Sequence, residues 1–150
     1  MPTFRHSFVV RACQARVSAF HFSENAFSKL TPPGIGLQFI ENQPLAEGSV
    51  VAFRLWLAYL FPIEWIAVHS QVTANGFVDV QTSGPMKTWR HQHSFIAISE
   101  QQTQVVDEIQ YEHHLGWRKW WTRVLFGRLG LYALFFYRAM ATHNACRSGR

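Results

Sequence analysis

Gly76-Phe77-Val78-Asp79-Val80-Gln81, a Gly84-Pro85 break and Trp89-Arg90-His91-Gln92-His93-Ser94-Phe95-Ile96 read as two antiparallel strands. With a side-chain period of two, Phe77, Asp79 and Gln81 share one face, and Trp89, His91, His93 and Phe95 share a face of the return strand. An ordinary core face is aliphatic throughout, and a solvent face does not carry Trp and Phe at both ends of one stripe. Rings interleaved with ionisable groups suit the wall of a pocket.

Outward from this hairpin the chain reads as an antiparallel meander. Strands are expected over residues 36–42, 49–59, 63–74, 77–82, 88–99 and 104–113, punctuated by Pro44, Pro62, Asn75-Gly76, Gly84-Pro85 and Glu100-Gln101-Gln102. A first strand over 4–12 precedes them, followed by two short helices over 14–22 and 24–30. Val17 and Phe20, then Phe27 and Leu30, have helical spacing; Ser23 is the expected N-cap, and Thr31-Pro32-Pro33-Gly34 stops the second helix. After Gly116 the pattern predicts one long helix to about residue 144.

Within that helix, residues 129–137 are apolar on nearly every side. The run is far shorter than the roughly 20 residues that cross a bilayer. Such a helix is expected to be covered on more than one side, as by a curved sheet wrapped around it. From Trp117 onward the chain carries seven basic residues and no acid, whereas the first 116 residues are net −2. Trp117, Trp120 and Trp121 beside Arg118 and Lys119 have the composition of an interfacial anchor, so peripheral contact with an anionic membrane is one expectation for this helix. A solvated helix face is the plainer one. No zinc-finger or helix-turn-helix spacing accompanies the bases, which argues against nucleic acid. Cys13 and Cys146 form no metal-spaced pair and read as reduced thiols in a cytoplasmic protein; the first residues lack a signal-peptide core. A single domain over 1–150 is expected.

The element order, with Phe20-His21, Leu30-Thr31-Pro32-Pro33, Pro44-Leu45 before Glu47-Gly48, Asp79-Val80-Gln81, Gly84-Pro85, the Trp89–Phe95 strand, Asp107-Glu108-Ile109-Gln110-Tyr111 and Tyr137-Arg138, resembles a bacterial single-domain branch of the SRPBCC superfamily. These are the START-like, Bet v 1-like helix-grip proteins, which include polyketide cyclase/dehydrase-like members. In related chains the domain stands alone or precedes an epimerase-like domain. The resemblance implies an α+β fold: a seven-stranded antiparallel sheet gripping a long C-terminal helix, two short helices after the first strand, and an apolar ligand tunnel between sheet and helix. Gly34-Ile35-Gly36 departs from it, since an aromatic is expected after the prolines.

Strand parity nominates the inward groups. Trp65, Ala67 and His69 would share a face with Phe77, Asp79, Gln81, Trp89, His91, His93 and Phe95, and with Val105, Asp107, Ile109 and Tyr111 of the last strand. His91 and His93 stand about 7 Å apart on such a strand. With His69, Asp79 or Asp107 they approach a metal set, yet no Cys or clustered carboxylate joins them, and a hydrogen-bonded polar network is the expectation in place of a metal. A His paired with Asp79 or Asp107 suits proton abstraction alpha to a carbonyl, which makes His91, His93 and Asp107 the catalytic candidates, with Arg54 or Arg90 beside an enolate. The aromatic bulk favours binding over turnover: 13 Phe and 6 Trp suit a lipid, quinone, isoprenoid or polyketide-like ligand. Trp65, His69, Phe77, Asp79, Gln81, Trp89, His91, His93, Phe95, Tyr111 and the helical Phe135 are the expected contacts. No cofactor is called for. A regulatory interaction module without a ligand is the third reading.

Overall fold

The computed structural model describes residues 1–147, the side chain of Arg118 excepted. Strand β1 (Thr3–Val10) leads into helices α1 (Gln14–Phe22) and α2 (Ala26–Leu30). Six strands follow: β2 (Ile35–Asn42), β3 (Val50–Leu57), β4 (Phe61–Thr73), β5 (Gly76–Ser83), β6 (Thr88–Ser99) and β7 (Gln102–Glu112). A 3-10 turn (Trp117–Lys119), α3 (Trp120–Leu125) and α4 (Arg128–Arg147) complete the chain. Strands β2 to β7 form the meander, and β1 pairs with β7, giving one antiparallel sheet of order β1-β7-β6-β5-β4-β3-β2.

The period-two pattern of β6 decides which face is covered. Trp89, His91, His93 and Phe95 are buried while Arg90, Gln92 and Ser94 between them are partly exposed. Register pairs Phe77 with His93 and Asp79 with His91 on one side, and His91 with Ile109 and His93 with Asp107 on the other. Helix α4 packs on this same face: Phe135 stands 5.5 Å from Phe4 and 5.4 Å from His91 between ring centroids.

Several details differ from the sequence expectation. Pro62 does not divide two strands. It lies inside β4 opposite Trp56, and the reversal falls at Ala58 and Tyr59, both with positive φ. Ser23 does not cap α2; its hydroxyl donates to Phe20 O at 2.6 Å, closing α1, while Asn25 precedes α2. The expected single C-terminal helix is two helices. Helix α3 ends as Phe126 N–H bonds to Thr122 O, α4 begins as Leu131 N–H bonds to Gly127 O, and the elbow is so tight that a Cβ at Gly127 or Gly130 would run into the carbonyls of Arg123 or Leu125.

Helix α4 is not covered all round. Leu131, Phe135, Ala139, Thr142 and Cys146 are buried at helical spacing, while Leu129 and Phe136 are 86% and 64% exposed. One sheet covers one stripe of a helix, and α1 and α2 flank it without closing over its back.

Candidate functional site

Between the sheet, α1, α2 and the α3–α4 elbow lies a cavity of about 900 Å3. That is near the top of the range of roughly 300–1,000 Å3 for small-molecule sites. Its walls are mostly apolar: Phe27, Phe39, Phe53 and Leu55 on one side, Trp65, Trp89 and Phe126 on another, Leu134 and Phe135 from α4. Phe53 and Trp65 stack, and Trp65 meets Trp89 edge-on at 5.3 Å. Polar groups gather where His21, His69, Asp79, His91, His93 and Arg138 reach the wall.

Three histidines and two aspartates form a continuous chain there. Ser49 Oγ accepts from Ala46 N–H and lies 2.9 Å from His69 Nδ1. His69 Nε2 stands 2.9 Å from Asp79 Oδ1, a contact that helps to hold the Asp79 carboxyl in its charged form. Asp79 Oδ2 accepts from His93 Nε2 at 3.0 Å; His93 Nδ1 faces Asp107 Oδ1 at 3.0 Å, and that same oxygen accepts from His91 Nε2 at 2.9 Å. Both nitrogens of His93 therefore point at carboxylates, an arrangement that only an imidazolium, with two N–H donors, satisfies.

The electrostatics agree. Burial opposes a charge on His93, but the hydrogen bonds to Asp107 and Asp79 and their charges overcome it and push the ring up to about 9. Burial likewise works to raise Asp79 and Asp107, and the bonds from the imidazoles, with the charge on His93, outweigh it and hold both carboxyls well below their usual range. His91 moves the other way. Burial, reinforced by the neighbouring His93 cation, lowers it to about 4 against the bond to Asp107. It is neutral, with Nε2–H given to Asp107 and Nδ1 left as a lone pair.

Of the residues nominated from sequence, Trp65, His69, Phe77, Asp79, Trp89, His91, His93 and Phe135 line the cavity. Asp107 stands behind His91 and His93. Gln81, Phe95 and Tyr111 are not on the wall. Gln81 clasps the Gly84-Pro85 turn, donating to Met86 O and accepting from Met86 N–H. Phe95 is buried in a second apolar cluster with Phe77, Val10 and Val17, and Tyr111 packs on Trp89 in the main core. Neither proposed arginine reaches the wall: Arg54 pairs with Glu64 at 2.5 Å, and Arg90 bonds to Gln92.

Among the wall residues that escape strand parity because they sit on helices are a histidine and an arginine. His21 of α1 donates Nδ1–H to Val17 O at 2.9 Å, which leaves Nε2 as an acceptor, and its ring lies 6.5 Å from that of His93. Burial, aided by His93, lowers it to about 4. Arg138 follows Phe135 by three residues, the same-face spacing of a helix, and its guanidinium lies 5.3 Å from that ring centre. Helical spacing from Val17 and from Phe135 is the signal that points to both. Asp79, His91 and His93 also bring ligand atoms within 4.8 Å of one another. The His–carboxylate pairing described above occupies both nitrogens of His93, so a metal there would have to displace its proton.

No family model and no curated protein matches the chain. Solved structures do. A START superfamily protein from Mycobacterium smegmatis superposes with a TM-score of 0.69 at 12% identity, over 97% of each chain. The Zhui aromatase/cyclase from Streptomyces sp. R1128 gives 0.66 at 15%, over 97% of this chain and 90% of that one. Norcoclaurine synthase from Thalictrum flavum, solved with dopamine and hydroxybenzaldehyde, gives 0.70 at 12%, over 99% and 88%. The chain thus has the helix-grip fold that the START superfamily protein, the aromatase/cyclase and norcoclaurine synthase share: a seven-stranded antiparallel sheet against a long C-terminal helix.

Proposed function

We propose that the chain is a non-catalytic binder of a hydrophobic small molecule, a lipid, quinone, isoprenoid or polyketide-like compound, held between sheet and α4. The observation that carries this reading is the cavity itself, about 900 Å3, apolar over most of its wall and polar at one place. A core that needed only to be filled would close on such a volume. In this reading the domain works in the cytoplasm, without cofactor or nucleic acid. Native mass spectrometry of the purified protein is expected to show a retained hydrophobic compound. Finding none, with thermal stability indifferent to a lipid and quinone panel, would sink the proposal.

A catalytic reading is favoured by one observation. His91 is neutral, oriented by Asp107 and on the cavity wall, as a general base for proton abstraction must be. Turnover of a polyketide-like substrate that disappears in His91→Gln, with folding intact, would establish it.

A further inference from the structure

Arg138 is the unmatched group of the cavity. Its Nε is buried without a hydrogen-bond partner. No Asp or Glu among the described residues lies within ion-pair distance of its guanidinium. The two nearby acids, Asp79 and Asp107, attract it at longer range, yet their oxygens are turned to the histidines. Leaving a half-buried cation short of acceptors costs stability, so a place so built implies an acceptor that arrives with the ligand.

The geometry points to an amphipathic monocarboxylate as the ligand, its apolar part along Trp65, Trp89 and Phe135 and its carboxylate on the Arg138 guanidinium. This rests on the reading of the cavity as a ligand site and names the class of compound that fills it. The planar fork of Arg matches a carboxylate with two parallel N–H···O bonds. Single negative charge follows from the surroundings. Among the described residues one guanidinium lines the cavity, and the ring nitrogens left over on the wall, His21 Nε2 and His91 Nδ1, are acceptors that offer an anion no donor. The Asp79 carboxylate, already paired with His69 and His93, disfavours a dianion more than a monoanion. The same acceptors would receive a hydroxyl carried by the ligand.

The test compares three probes of one chain length, dodecanoate, dodecanol and dodecyl phosphate, by quenching of tryptophan fluorescence at pH 7.5, with native mass spectrometry to count bound molecules. Wild type is expected to bind dodecanoate at least tenfold more tightly than dodecanol and than dodecyl phosphate. In Arg138→Gln the dodecanoate affinity is expected to fall to that of dodecanol, which itself stays unchanged. Equal affinity of acid and alcohol in wild type would overturn the carboxylate proposal while leaving a hydrophobic site in place. A preference for the phosphate would overturn it as well. Binding of none of the three removes the ligand site itself. The wild-type comparison needs no variant, and Arg138→Lys, expected to retain an intermediate preference for the acid, serves if Arg138→Gln does not fold.

Discussion

His91 and His93 stand two residues apart on β6, yet their ring centroids are only 3.8 Å apart, because both rings lean onto the one oxygen Asp107 Oδ1. A straight strand would hold such side chains about 7 Å apart. Asp107 thus does two things: it orients a neutral imidazole and neutralises half of a charged one. Removing it leaves the His93 cation buried with Asp79 as its one close counter-charge among the described residues. Asp107→Ala is expected to destabilise the fold by about 3–5 kcal/mol, as breaking a buried pair does. Urea unfolding measures this, and a loss under about 1 kcal/mol would show that the chain of imidazoles and carboxylates reorganises freely.

The same charges set the pH dependence of stability. His21 and His91, both lowered to about 4 by burial, resist a proton that the unfolded chain accepts near 6.5. Their contribution is complete above pH 6.5 and is lost as the pH falls toward 4. His93, raised to about 9, behaves in the opposite sense: its contribution is complete below 6.5 and disappears as the pH rises through 9. Together they place a maximum near pH 6.5, with a two-proton slope on the acid side and a one-proton slope on the alkaline side. Thermal unfolding from pH 4 to 9 should trace that shape. His93→Gln should flatten the alkaline limb, and an alkaline limb that survives it assigns the effect to other groups.

How far the sequence carries follows from the same elements. Alternation along residues 88–99 matches β6 (Thr88–Ser99) because a half-buried strand must alternate, and a tight turn at Asn75-Gly76 fixes the register of β5. The strand residues of the site follow from parity alone. His21 and Arg138 do not: helical spacing from Val17 and Phe135 puts each on the inner face of its helix, but which part of the sheet that face meets depends on how α1 and α4 lie across it, a tertiary fact. Gln81 and Tyr111 obey parity but lie beyond the cavity, one fastened to Met86 and the other under Trp89. The apolar run 129–137 suggests a helix enclosed on several sides, whereas Leu129, Tyr132, Phe136 and Met140 face outward; hydrophobicity without an angular gap cannot say which side is covered.

The segment that precedes α4 also exposes apolar side chains. Trp117 of the 3-10 turn and Trp120 and Val124 of α3 are exposed, in a stretch of chain that also carries Lys119, Arg123 and Arg128. Of the sequence-nominated anchor residues, Trp121 is partly withdrawn under Lys119, and the side chain of Arg118 lies outside the described residues. If this surface meets an anionic bilayer, vesicle co-sedimentation should weaken with added salt and fall in Trp120→Ala and in Lys119→Glu. Partitioning that ignores both salt and these substitutions would leave the surface to another use.

Gly130 tests the elbow between α3 and α4. Glycine to alanine inside a helix ordinarily stabilises by about 0.5–1 kcal/mol. Here a Cβ would run into the carbonyl oxygens of Leu125 and Val124, so the two helices would have to part. Gly130→Ala is therefore expected to lower the melting temperature, and to loosen the cavity wall that Val124, Leu125 and Phe126 form. A rise in melting temperature would mean that the elbow opens without cost.

Ala67 distinguishes an open cavity from a closed one. It sits on β4 between Trp65 and His69, buried from solvent, with its methyl on the cavity wall. Ala67→Phe sends a ring into that space. In a cavity kept open, the ring meets vacant volume, and stability should change by less than about 1 kcal/mol while retention of hydrophobic compounds is lost. In a core that has closed, the same ring is overpacking and costs about 1–3 kcal/mol. Urea midpoints read one outcome and native mass spectrometry the other, so a destabilised variant derived from a wild type that retains no compound would favour the closed core. A stable variant that has lost its compound places the ligand between Trp65 and α4.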